Sequence, residues 1–151
     1  MSGITREQIM TALVTWLTPI TAQGVPLKFV ARRVRDPENV PATDRPCIYL
    51  VERGDEWEMD DKAPDTPAIR ILIVAALIYT DVGTNENAIP ATQLNYFIEA
   101  IENAFLPDDL GGSFTLGDTV RSAMIAGNGL RASGDTTSKS LAVVPIRIVI
   151  P

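Results

Sequence analysis

Apolar residues recur along the chain at two periods, and the changes of period mark its elements. Near the start, Ile9, Leu13, Trp16 and Leu17 fall on one helical stripe, widened by Met10 and Val14. Thr5 and Gln8 have capping-box spacing, and Ile4 and Ile9 are placed for a hydrophobic staple. Pro19 ends this helix near Leu17 or Thr18. A second stripe of Leu94, Phe97, Ile98, Ile101 and Phe105 predicts a helix over 89–105, with Pro90 suited to its first turn and Pro107 beyond its end. Gln93, Asn95, Glu99, Glu102 and Asn103 fall on its wet side.

Between and after these stripes the pattern is that of strands. The longest apolar run, 69–81 (IRILIVAALIYTD), is rich in β-branched residues and follows Pro67, which favours a long strand over a buried helix. One face carries Ile69, Ile71, Ile73, Ala75, Leu77 and Tyr79, the other Arg70, Leu72, Val74, Ala76, Ile78 and Thr80. Both faces are largely apolar, so both need cover. Strands are also predicted over 27–35, over 47–51, and over 119–126 with a continuation to Leu130 past a glycine-marked bend. The last strand, 141–150, contains Pro145, which belongs at an edge or at an unpaired position. Turns and loops fill 23–26, the proline-rich 36–46, the polar 83–88, the glycine-rich 108–118 and the 133–140 hairpin. The acidic stretch 52–67 (ERGDEWEMDDKAPDTP) extends the 47–51 strand, then becomes an exposed connection into 69–81, making an antiparallel hairpin with a projecting loop.

The element order predicts an α+β fold, a mainly antiparallel four- to five-stranded sheet with two helices packed on one face. Two helices cannot cover both faces of that sheet. Either the sheet curls on itself or a second subunit covers the other face. The 141–150 strand makes the same demand, with Val143 and Val149 on one side and Val144, Ile146, Ile148 and Ile150 on the other.

At 151 residues the chain is expected to be one domain, 1–151, with no internal repeat. Its 46% hydrophobic content is ordinary for a globular protein. A net charge of -6 disfavours a general nucleic-acid binder. No basic segment followed by an apolar one stands at the N-terminus, so no signal peptide is expected, and 69–79 is too short for a membrane-spanning helix. The single cysteine excludes an internal disulfide, and Cys47 is expected to be packed rather than reactive.

The chain has no histidine, which removes the commonest general base and metal ligand together. The cluster of Glu52, Asp55, Glu56, Glu58, Asp60 and Asp61 lacks the ligand spacing of a calcium loop, and Glu52, Glu56, Glu58 and Asp60 would share one face of a continued strand. A solvated hairpin or a subunit contact fits the cluster better than catalysis. Trp57, an aromatic among acids, reads as an interface anchor or as a residue folding back over the sheet edge. The Lys-Ser ending of 134–140 has no glycine before its lysine and no helix after it, so it is no phosphate loop. Gly127 and Gly129 lack the strand-turn-helix setting of a dinucleotide fingerprint, and Arg53-Gly54-Asp55 is a frequent chance tripeptide. Lys28, Arg32, Arg33, Arg35 and Arg45 gather positive charge in the first third, as scattered solubilising charge, as the complement of the acidic hairpin on a neighbouring subunit, or as a contact to a phosphate backbone, which no aromatic interleaving or recognition helix supports.

Along nearly its full length the chain resembles the tail terminator, or minor tail completion, proteins of long-tailed bacteriophages. The residues that carry the resemblance are the first helix, the proline-led strand Pro46-Cys47-Ile48-Tyr49-Leu50 and the acidic hairpin after it. The strand ILIVAALIYTD, the helix TQLNYFIEAIENAF and the closing AVVPIRIVI complete it. The resemblance implies a structural, non-enzymatic virion protein without cofactor or metal. It implies assembly into a ring, a hexamer in the family, that caps the tail tube, ends its polymerisation and joins the tail to the head connector. The implied partners are further copies of itself, the tube protein, the connector and genomic DNA passing through the lumen, with no membrane. The implied location is the head-proximal end of the virion tail, reached from the host cytoplasm. Arg32, Arg33, Arg35, Asp55, Trp57, Glu58 and Asp60 are the expected interface residues. A different head-tail neck protein is the nearest rival expectation, and a small-molecule-binding or enzymatic α+β domain a more distant one.

Overall fold

The computed structural model describes residues 3–59, 68–133 and 138–151. The expected loop position Asp60, the rest of 60–67, and 134–137 of the last hairpin loop lie outside the described residues. Helix α1 (Arg6–Leu17) begins at the predicted capping box: Gln8 donates its amide to the Thr5 hydroxyl, and Thr5 donates its own amide to the Gln8 side chain. Two short strands, β1 (Thr21–Ala22) and β2 (Val25–Pro26), form a small hairpin. Then come β3 (Val30–Ala31), two 3-10 turns, β4 (Cys47–Glu58), β5 (Ile69–Asp81), helix α2 (Pro90–Ala104), β6 (Ser122–Ile125), β7 (Leu130–Ser133) and β8 (Lys139–Ile150).

The main sheet runs β3-β4-β5-β8-β6, with β7 also paired to β8. All its pairings are antiparallel except β3 with β4, which makes the sheet mixed. The expected 27–35 strand shrinks to β3 because its neighbours cover the sheet instead of extending it. Only the Phe29 carbonyl and Lys28 amide reach the strand beside them, bonding Ile48 and Pro46. The expected strand from residue 119 begins at Ser122, since the Thr119 and Val120 amides turn back to the Thr115 carbonyl.

β6 and β7 are one edge strand interrupted by residues 126–129, as the glycine-marked bend predicts. β6 pairs with 146–149 and β7 with 140–143 of β8, so the break falls opposite Val144 and Pro145. The Ala126 amide donates to the Pro145 carbonyl, so the proline nitrogen, which has no hydrogen to donate, faces the same break. Pro145 therefore sits in an interior strand, paired with Ala75 of β5, with its nitrogen turned toward the break between β6 and β7.

The even-numbered face of β5 meets the helices. Leu72, Val74, Ala76 and Ile78 are buried with Ile9, Met10, Leu13 and Leu17 of α1 and Leu94, Phe97 and Ile101 of α2. On the odd-numbered face a second cluster joins Cys47, Tyr49, Ala75, Leu77 and Tyr79 to Val40, with Phe29 and Ala31 packed against it. Segment 29–45 thus covers one end of the second face. Tyr79 donates its hydroxyl to the Arg35 carbonyl, and the Arg45 guanidinium lies 5.3 Å from the Tyr79 ring centre.

Candidate interaction surfaces

The hairpin of β4 and β5 changes character along its length. β4 is buried from Cys47 to Leu50 and exposed from Glu52 to Glu58. β3 pairs only with Ile48 and Tyr49, so among the described residues the outer edge of β4 is open beyond them. A bulge between Glu52 and Gly54 shifts the register by one residue, and a one-residue shift exchanges the faces. Glu52 pairs with Val74 on the helix-bearing face, whereas Glu56 and Glu58 pair with Ile71 and Ile69 on the other. The expectation that Glu52, Glu56 and Glu58 share a face is therefore wrong, because it assumed an unbroken period of two.

The bulge sorts the charges. On the helix-bearing face Asp55 accepts from Arg6 at 2.7 Å, and Glu52 accepts from Arg32 at 2.8 Å. Arg32 also forks onto Glu7, which holds the Glu7 carboxyl below its usual range and raises Arg32. On the opposite face Arg147 of β8 reaches across β5 to Glu56 at 3.2 Å and Glu58 at 2.8 Å, and Ile71 beneath is buried. Trp57 and Met59 at the hairpin tip are 62% and 65% exposed, and the Trp57 indole N–H has no hydrogen-bond partner among the described residues.

Of the basic group, Lys28 and Arg33 are exposed with no polar partner for the side chain among the described residues. Arg35 donates to the Tyr49 hydroxyl and reaches Asp44, and the Tyr49 bond raises its pKa further. Arg45 is buried, donating to the carbonyls of Val40, Thr80 and Pro37. It holds the covering loop on the sheet rather than solubilising the surface.

Two apolar surfaces remain. The first is the part of the second sheet face beyond segment 29–45. There Ile73, Val143, Pro145 and Val149 are half-buried, and Met124 and Leu130 on the outer strand are 47% and 66% exposed. The second is a groove of about 450 Å³ between the β1–β2 hairpin, the loop after β5 and the start of α2. Its walls include Ala22, Val25, Val82, Ile89 and Tyr96, and Gln93 lines it with a buried Oε1 that accepts no hydrogen bond. Gln93 and Asn95, expected on the wet side of α2, are half-buried. The small hairpin packs against α2, and Arg131 donates to Asn95. The apolar Ile89, just ahead of Pro90 and outside the helical stripe, is the one sequence signal for this groove.

Among the described residues no group of three or more Cys, Asp or Glu is placed to hold a metal ion, and no helix is long and apolar enough to cross a membrane. Cys47 is fully buried, and burial pushes its thiol up to about 11. No protein-family model matches the chain. No curated protein matches it. Among solved structures the chain is similar to one in a structure described as the virion of native gene transfer agent (GTA) particle. That likeness has a TM-score of 0.45 at 11% sequence identity, covering 80% of this chain and 77% of the other.

Proposed function

We propose that this protein is a single-domain structural subunit of a phage-type virion tail. Copies assemble into a ring that caps the tail tube, ends its polymerisation and joins the tail to the head connector. The observation that carries the reading is the second sheet face, whose apolar remainder the chain's own covering segment leaves half-exposed. A sheet apolar on both sides and covered on one and a half is incomplete as a monomer, and a symmetric neighbour is the usual completion. The resemblance of the sequence to tail terminator proteins gives that self-association its place in a tail. The projecting hairpin, with Trp57, Glu58 and Asp55 near its tip and Arg32, Arg33 and Arg35 toward its base, supplies contacts for the tube or the connector. In this reading DNA passes through the lumen without specific binding.

Native mass spectrometry with negative-stain imaging, alone and with tube protein, tests the reading. A closed ring that stops tube growth is expected. A chain that stays monomeric even with tube protein present overturns the proposal. A ring that leaves tube growth unaffected assigns the protein instead to the head-tail neck.

A further inference from the structure

The groove beside α2 and the tip of the β4–β5 hairpin are complementary, and they sit at opposite ends of the same strand. Trp57 pairs with Arg70 near the start of β5, whereas Val82 in the groove wall follows its last residue. Twelve residue steps along β5 separate Arg70 from Val82, a distance of about 40 Å. One copy therefore cannot fill its own groove with its own hairpin tip.

Their chemistry matches as well. The groove is walled mainly by aliphatic side chains and the Tyr96 ring, with Gln23, Asn87 and Thr92 at its polar positions, and its one buried orphan is an acceptor, Gln93 Oε1. An indole presents a large apolar face and a single N–H donor, with no acceptor to leave unpaired. The chain has two tryptophans. Trp16 already donates its N–H to the Ala104 carbonyl at 2.9 Å, which leaves Trp57 as the indole whose N–H has no partner among the described residues. A volume of about 450 Å³ falls in the range that accepts small-molecule ligands and is ample for one indole.

We propose that Trp57 of one copy docks into the α2 groove of a second copy, and that the half-buried Gln93 side chain turns its Oε1 out to accept the indole N–H. The contact joins two different patches of the same chain, so it is head-to-tail. Repeated head-to-tail contacts close into a ring when the rotation between copies permits. This inference rests on the proposed self-assembly and names the residues that make one of its contacts.

The test uses two variants of the full chain. Trp57→Ala removes the knob at an exposed position. Thr92→Glu blocks the groove in the first turn of α2, where a glutamate favours the helix, so the fold is kept. Each alone is expected to weaken assembly by at least ~30-fold, measured by sedimentation over a concentration series. Mixed, the two retain one intact knob and one intact groove, and are expected to form heterodimers that grow no further. Trp57→Phe keeps the ring but loses the donor, and its effect should vanish in a Gln93→Leu background.

A Trp57→Ala chain that assembles as tightly as the wild type overturns this docking while leaving self-assembly standing. Failure of the mixed variants to pair also overturns it. A wild-type chain that remains monomeric, with or without tube protein, overturns both the docking and the ring.

Discussion

Arg45, Cys47 and Asp108 show how much a single side chain decides here. Arg45 is a buried cation whose partners are three carbonyls rather than a carboxylate. Arg45→Met would strand those carbonyls beneath the 37–45 loop, and a loss of about 3 kcal/mol is expected in urea unfolding. Its burial was not legible from the sequence, because an arginine in a proline-rich polar loop reads as solvent-facing. Cys47 was legible, since apolar neighbours and the lack of histidine both argue for an inert thiol. The native chain should resist a thiol-specific disulfide reagent at pH 8, where a thiol raised to about 11 is almost wholly protonated, and react fully once unfolded. Asp108 is subtler. Desolvation pushes its carboxyl up, but bonds from the Thr115 hydroxyl and the Thr115 and Gly117 amides outweigh it, so the folded value lies below the ordinary one. A depressed folded value means that its stabilisation is complete above the ordinary aspartate range and is lost as pH falls through the folded value. Those bonds pin a turn in which Leu116, Gly117 and Asp118 all have positive φ. Asp108→Asn is therefore expected to lower the melting temperature at pH 7 and to flatten its fall below about pH 4, read by thermal scans across pH.

Elements were legible where composition and period agreed. β5 and both helices fall within a residue or so of their predicted bounds, because branched residues, caps and prolines all mark the same limits. The bulge in β4 had one signal, Gly54, a lone glycine inside the strand that was read only as part of a chance tripeptide, and its consequence was a face exchange for every residue after it. The strand expected over 27–35 was cut down to β3 for another reason: the segment has strand composition, yet its apolar residues serve better as a lid on Tyr49 and Tyr79 than as a longer ladder. The broken edge of β6 and β7 depends on glycines that the sequence presented as a weak nucleotide motif. A Cβ on Gly127 would lie 3.4 Å from Pro145 Cγ on a backbone with φ of 117°, and one on Gly129 would lie 3.3 Å from the Val143 carbonyl oxygen. Gly127→Ala is expected to cost about 1–3 kcal/mol in equilibrium unfolding from conformational strain. Gly129 does not have positive φ, so Gly129→Ala should cost less, and the ranking of the two separates strain from crowding.

At the scale of the whole molecule, the demand for cover on both faces of β5 was readable from its residues, but the source of the cover was not. The chain supplies part of it with segment 29–45, and the Arg147, Glu56 and Glu58 bridge roofs Ile71. What is left is the half-exposed band running out to Met124 and Leu130. If assembly buries that band, folding and association are linked, and the folded state gains RT ln(1 + [L]/Kd) from its neighbours. At a concentration of ~100 times Kd this amounts to about 2.7 kcal/mol, which for a chain of this size raises the melting temperature by roughly 5–10 °C over the dilute protein. Melting curves over a hundredfold concentration range should show that rise. Leu130→Lys is the informative variant, because the side chain is already 66% exposed and a lysine there costs the isolated chain little. With the band in the interface, Leu130→Lys should melt as the wild type does when dilute and lose the concentration dependence. An unchanged dependence in this variant would place the association elsewhere and leave the exposed band without a role in it.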